Sequence, residues 1–164
     1  MTTHTGRKST IVFGVLAISS VALASFVGQL ATRPNLEPWY ASLAKPAFNP
    51  PNWIFAPVWT TLYVLMALAV WRILRLPPDT ARRRTGLALF FVQLGMNAAW
   101  SWMFFGAQNP LLGMINIVPQ FLVILATINV FLRLDKRAAL SLVPLAMWVG
   151  FACVLNFEIL RLNG

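Results

Sequence analysis

The chain is poor in charge, in histidine and in cysteine, and each shortage removes a class of protein. Only 10% of its 164 residues are Asp, Glu, Lys or Arg, against about a quarter in a soluble domain. So little charge cannot cover a surface that faces water on every side, so the solvent is lipid. One cysteine (Cys153) and one histidine (His4) rule out a disulfide framework and a thiolate or imidazole metal set; Cys153 reads as a small apolar packing residue. The acids are Glu37, Asp79, Asp135 and Glu158. None falls in mid-span, where a proton-coupled antiporter needs one. Ser/His/Asp and Cys/His groupings and a glycine-rich phosphate loop are all missing. No internal repeat supports an inverted-repeat transporter.

What remains is overwhelmingly apolar, with 59% hydrophobic residues and a mean hydropathy of +0.71. A membrane span takes about 20 apolar residues, and five stretches qualify, at about 10–31, 53–74, 86–106, 111–132 and 138–160. The expected fold is an all-α membrane protein: one domain over residues 10–164, a bundle of five transmembrane helices after a disordered segment 1–9. Arg7-Lys8, an apolar run and Ala22-Leu23-Ala24 resemble a cleaved signal. The run continues to Ala31, however, and that length fits a retained span.

The net charge of +9 does not indicate a nucleic-acid partner, because the basic residues sit at span ends. Arg7, Lys8, Arg72, Arg75, Arg82, Arg83, Arg84, Arg133, Lys136 and Arg137 share one side, whereas Arg33, Lys45 and Arg161 share the other. The positive-inside bias predicts a cytoplasmic N-terminus, a periplasmic C-terminus and a bacterial inner membrane.

The first connection, about 32–52, is far longer than bundle connections usually are. From Trp39 to Trp59 the chain holds three Trp and four Pro, too aromatic for a solvated linker and too rich in proline for a helix. It reads as an ordered lid on the outer side. Polar and aromatic residues recur at helical spacing beneath it: Trp59, Tyr63 and Met66; Gln93, Asn97 and Ser101; Asn116, Gln120 and Thr127; Pro144, Trp148, Ala152 and Asn156. Amides in lipid are expensive unless they bond across helices or line a cavity. Trp59, Asn97, Asn116 and Asn156 all fall in the outer half, so a cavity walled by aromatics and amides is expected there. At most one of Trp100 and Trp102 can face it. Trp71, beside Arg72, reads as an interfacial anchor. Glu158 and Arg161 are expected to pair. Gly95 and Ala99 form a small-xxx-small pair that suggests a dimer contact.

Trp39-Tyr40, Lys45-Pro46, Asn49-Pro50-Pro51, Trp59, Asn97, Pro144, Trp148 and Leu155-Asn156-Phe157-Glu158 resemble the translocator protein family, also called tryptophan-rich sensory proteins or peripheral-type benzodiazepine receptors. The resemblance runs over nearly the whole chain from the first span onward. It implies a five-helix bundle, a homodimer, and a pocket beneath the first loop for porphyrins such as protoporphyrin IX or haem, with no obligatory cofactor. By position Tyr40, Pro50, Trp59, Tyr63, Asn97, Trp148 and Ala152 match the family's ligand contacts. In this reading Trp59 and Trp148 stack on the ligand and Asn97 offers an amide, while Tyr40 and Pro50 close a roof formed with Trp39, Lys45, Pro46, Pro51 and Trp53. The implied role is binding and sensing, with porphyrin transport and light-dependent porphyrin breakdown as alternatives. Two positions depart from the family pattern. Phe157 replaces the Tyr of the animal cholesterol motif, and Phe48 stands where many relatives have Trp.

Overall fold

The computed structural model describes residues 3–164, and among them there is no strand. The helices are α1 (Thr3–Asn35), α2 (Asn52–Leu74), α3 (Arg83–Ser101), α4 (Pro110–Leu134) and α5 (Lys136–Asn163), with π-helical turns at Leu36–Tyr40 and Trp102–Gly106. All five are long and apolar enough to cross a membrane. Pro57, Pro119 and Pro144 lie inside α2, α4 and α5 without ending them, as membrane helices tolerate.

Short polar devices set the boundaries. Asn109 caps α4, its Oδ1 accepting from Leu111 N at 3.0 Å and Leu112 N at 3.1 Å, and Pro110 stands where a helix has no use for an N–H. Asp135 caps α5 in the same way, accepting from Arg137 N at 2.9 Å and Ala138 N at 3.1 Å. Its other oxygen takes Arg72 of α2 at 2.7 Å. Between α2 and α3, Arg82 turns the chain at φ 67°. Arg83 then donates to the carbonyls of Ile73 and Leu74 in the last turn of α2.

Two expectations at the N-terminal side need correction. Helix α1 starts at Thr3, so residues 3–9 are helical rather than disordered; residues 1–2 lie outside the described part. The first connection is also shorter than the sequence suggested. The chain kinks at Glu37 (φ −125°, ψ 130°) but stays helical through Tyr40, and only residues 43–51 are free of helix. Just ahead of the kink, Thr32 Oγ1 and Asn35 Nδ2 bond back to the carbonyls of Gly28 and Ala31, a pattern that bends a helix.

In cross-section the helices form a ring in the order α1, α2, α5, α4, α3. The end of the ring that holds Arg72 and Asp135 is solid. Phe90 stacks on Phe131 at 6.2 Å, and Met66, Val70, Ile73 and Leu142 are buried around them. Gly86 lets α3 approach α4 here: an added Cβ would lie 3.1 Å from Phe131. At the other end the ring is hollow and roofed. Asn163 clasps the roof in a paired amide contact, donating to Ala44 O and accepting from Ala44 N, each at 2.9 Å.

Candidate functional site

The hollow end encloses a cavity of about 400 Å³ lined by all five helices, within the range of small-molecule sites, about 300–1,000 Å³. Helix α2 contributes Phe55, Trp59 and Tyr63; α3 contributes Asn97, Trp100 and Ser101; α4 contributes Ile117 and Gln120; α5 contributes Trp148, Ala152 and Asn156. The wall from α1 was not foreseen. It consists of Ser25, Gly28, Gln29, Thr32 and Arg33, continued by Leu36 of the following turn, a stripe with helical spacing visible in the sequence but hidden inside a run that reads as plain lipid-facing helix.

Ring-on-ring contacts shape the walls. Trp59 tilts against Tyr63 at 5.5 Å, Phe55 meets Trp148 edge-on at 5.8 Å, and Trp100 stacks on Phe104 at 5.0 Å. Hydrogen bonds fix the polar groups between them. Tyr63 Oη donates to Asn97 Oδ1 at 3.0 Å. Asn156 is engaged on both sides: its Oδ1 accepts from Trp100 Nε1 at 3.2 Å and its Nδ2 donates to Pro110 O at 2.9 Å. That amide therefore ties α3 and α4 to α5. Gly113 makes room for it, since a Cβ there would lie 2.6 Å from Asn156 Oδ1.

Of the residues singled out as ligand contacts, the structure brings Tyr40, Trp59, Tyr63, Asn97, Trp148 and Ala152 onto this one cavity. Pro50 is not among the lining residues; its carbonyl instead accepts from Asn49 Nδ2. The remaining roof residues act on one another. Tyr40 Oη donates to Asn49 Oδ1 at 3.2 Å, and Lys45 Nζ sits 4.6 Å over the Tyr40 ring. Trp39 packs edge-on against Phe104 and Phe105. Pro46 closes a turn with Asn49 N, and Pro51 accepts from Ile54 N at the start of α2. Trp53 is 73% exposed and does not line the cavity.

Trp100 lines the cavity while Trp102 lies outside it and donates to Val27 O. Trp71 has a role beyond an anchor: its Nε1 donates to Thr10 O at 3.3 Å, tying α2 to α1. Arg161 and Glu158 pair at 2.7 Å. A Cβ added to Gly95 meets nothing within 4 Å; the tight approach to α3 is made by Gly28 against Ser101 and Ala98. Ala99 is half-buried. Phe48 meets Phe151 edge-on at 6.3 Å, which keeps the apolar contact of the roof with α5.

Five long apolar helices closed into a ring around an aromatic cavity define an integral, multi-pass membrane protein. Residues 16–162 match the TspO/MBR family. The chain is 40% identical over 148 residues to the tryptophan-rich protein TspO of Chlorobaculum tepidum, covering 90% of this chain and 94% of that one. It is 38% identical to the protein of the same name from Archaeoglobus fulgidus, covering 91% and 95%. It is 32% identical to the human translocator protein, covering 87% and 85%. The chain belongs to the TspO/MBR family of membrane sensory and translocator proteins.

Proposed function

We propose that the cavity binds a porphyrin, protoporphyrin IX or haem, and that the protein works as a sensor of that ligand in the membrane. The observation that carries this reading is the convergence of Trp59, Trp100 and Trp148 from three helices on one enclosed space. Indole faces at that density suit a flat apolar ring, with about 0.5–1.5 kcal/mol per aromatic pair beyond the area buried. His, Cys and Met do not line the cavity, and both lining tyrosines already donate their hydroxyl protons. A metalloporphyrin is therefore held by its faces rather than through its iron. The test is a fluorescence-quenching titration of the purified protein with protoporphyrin IX. Trp59→Ala should weaken binding; equal affinity for variant and wild type would remove the cavity from the reading.

A second reading, transport of the same ligands, has one observation in its favour. Trp148 lines both the cavity and an open apolar groove between α2 and α5, flanked by Pro57, Pro144 and Met147. Passage to the acyl chains is one side chain thick there. Flux of porphyrin in proteoliposomes decides it, and saturable binding without flux would leave the sensor.

The membrane setting completes the proposal. The solid end gathers Arg72, Arg75, Arg82, Arg83, Arg84, Arg133, Lys136 and Arg137, and the roofed end has Arg33, Lys45 and Arg161. By the positive-inside bias the roof faces the periplasm and the N-terminus the cytoplasm of a bacterial inner membrane. Pairing into a homodimer through Gly95 and Ala99 is tested by cross-linking in native membranes.

A further inference from the structure

The aromatic cavity carries one charge. Arg33, near the roofed end of α1, is the only ionisable cation or carboxylate among its lining residues. Its guanidinium makes no ion pair among the described residues. Its single hydrogen bond there is a long one, Nε donating to Gln29 Oε1 at 3.4 Å. Its terminal amino groups are thus unengaged at the mouth of the cavity, where Asn52 of α2 also reaches the lining. An arginine fork of this kind matches a carboxylate with two parallel hydrogen bonds.

The inner wall holds a second unsatisfied polar group. Gln120 lines the cavity, is 1% exposed, and its Nε2 has no hydrogen-bond partner. A buried donor left unmade is costly, and the neighbouring walls offer mainly rings and aliphatic carbon. Gln120 is ten residues into α4, about 15 Å below the roofed end at 1.5 Å per residue, whereas Arg33 sits at the rim. The cavity is therefore polarised along its depth: a cation at the mouth, aromatic walls, and a buried amide behind the floor whose Nε2 has no partner.

We infer that this site selects amphipathic ring ligands bearing a carboxylate, which docks on Arg33 at the mouth while the apolar body lies between the indoles and reaches toward Gln120. The inference rests on the porphyrin-binding reading and adds to it which end of the ligand enters last and which residue reads its charge. Neutral rings of the same shape bind by their faces alone and gain nothing from Arg33.

The test compares two probes on the full chain in zwitterionic nanodiscs: protoporphyrin IX, a dicarboxylic acid, and its dimethyl ester. Wild type, Arg33→Gln and Arg33→Lys are titrated by tryptophan quenching, with circular dichroism to confirm that each variant is folded. Arg33→Gln should weaken the diacid about fivefold, the range of a solvent-exposed ion pair, and leave the ester unchanged. Arg33→Lys should recover only part of the diacid affinity, because an ammonium keeps the charge but lacks the two-pronged fit, and added salt should weaken the diacid alone. If Arg33→Gln shifts both probes alike or neither, the inference is overturned while porphyrin binding stands; an arginine that merely holds lipid headgroups would give that result. If wild type binds neither probe, the porphyrin reading itself falls.

Discussion

The two ends of the bundle are built from the same helices yet pack in opposite ways. At the end that holds Arg72 and Asp135, the inward positions are aliphatic or small, Ala69, Val70, Ile73, Ala138, Ala139 and Leu142, and they close on Phe90 and Phe131 with nothing left over. At the roofed end the inward positions are large rings and amides, and these brace one another around an open space. Small side chains let helices approach until the middle is full. Rings that stack edge-on across a gap hold the helices apart. The contrast assigns stability mainly to the solid end and leaves the proposed recognition to the hollow one.

The sharpest way to break that division is Phe131→Ala. Removing a fully buried aromatic costs about 3–5 kcal/mol and should lower the unfolding midpoint followed by circular dichroism in detergent. Porphyrin affinity of the still-folded protein should not change; a matching loss of affinity would show that the two ends are not separable. Gly113→Ala attacks the hollow end instead. A Cβ 2.6 Å from Asn156 Oδ1 and 2.8 Å from Phe104 displaces the amide that joins three helices. The expected loss is about 1–3 kcal/mol of stability, with affinity falling as well because Trp100 loses its anchor.

Trp59→Ala should cost about tenfold in porphyrin affinity, or about 1.4 kcal/mol, with little effect on the unfolding midpoint. The smallest effect is a pH dependence at the solid end. Burial raises the Asp135 pKa, but the Arg72 hydrogen bond, the backbone N–H groups of Ala138 and Arg137 and the Arg72 charge outweigh it, and the net pKa lies below the ordinary carboxylate value. A depressed folded pKa means that the stabilisation is complete above the unfolded carboxylate pKa and fades as acid takes the pH down through the folded one. The pair is partly solvated, so the change is under about 1 kcal/mol. Unfolding midpoints from pH 6 to about pH 3 should fall more steeply for wild type than for Asp135→Asn.

The spans were legible because hydropathy over 20 residues is a bulk property and lipid rewards nothing else. Four walls of the cavity were legible for a related reason: Trp59 with Tyr63, Asn97 with Ser101, Gln120 four residues after Asn116, and Trp148 with Ala152 and Asn156 repeat at helical spacing in helices that have little other reason to carry them. The α1 wall escaped because Ser25, Gln29 and Thr32 are modest polar residues in a run dominated by its lipid-facing side. The connection was judged too long because the helical extension through Tyr40 was not foreseen, whereas Pro46, Pro50 and Pro51 do lie in the irregular residues 43–51. Pro34 and Pro38 sit within a helix and the turn that extends it. Whether Pro50 or Trp53 points inward depends on the register after residues 43–51, and no periodicity governs irregular chain.

The amide clasp between Asn163 and Ala44 has a practical corollary. Because the last turn of α5 holds the lid by two hydrogen bonds, a fluorescent protein or affinity handle attached after Gly164 hangs one residue from the latch. Cargo placed there would tug on the entrance and blur every titration. An attachment ahead of α1, at the far end of the molecule, leaves the doorway undisturbed.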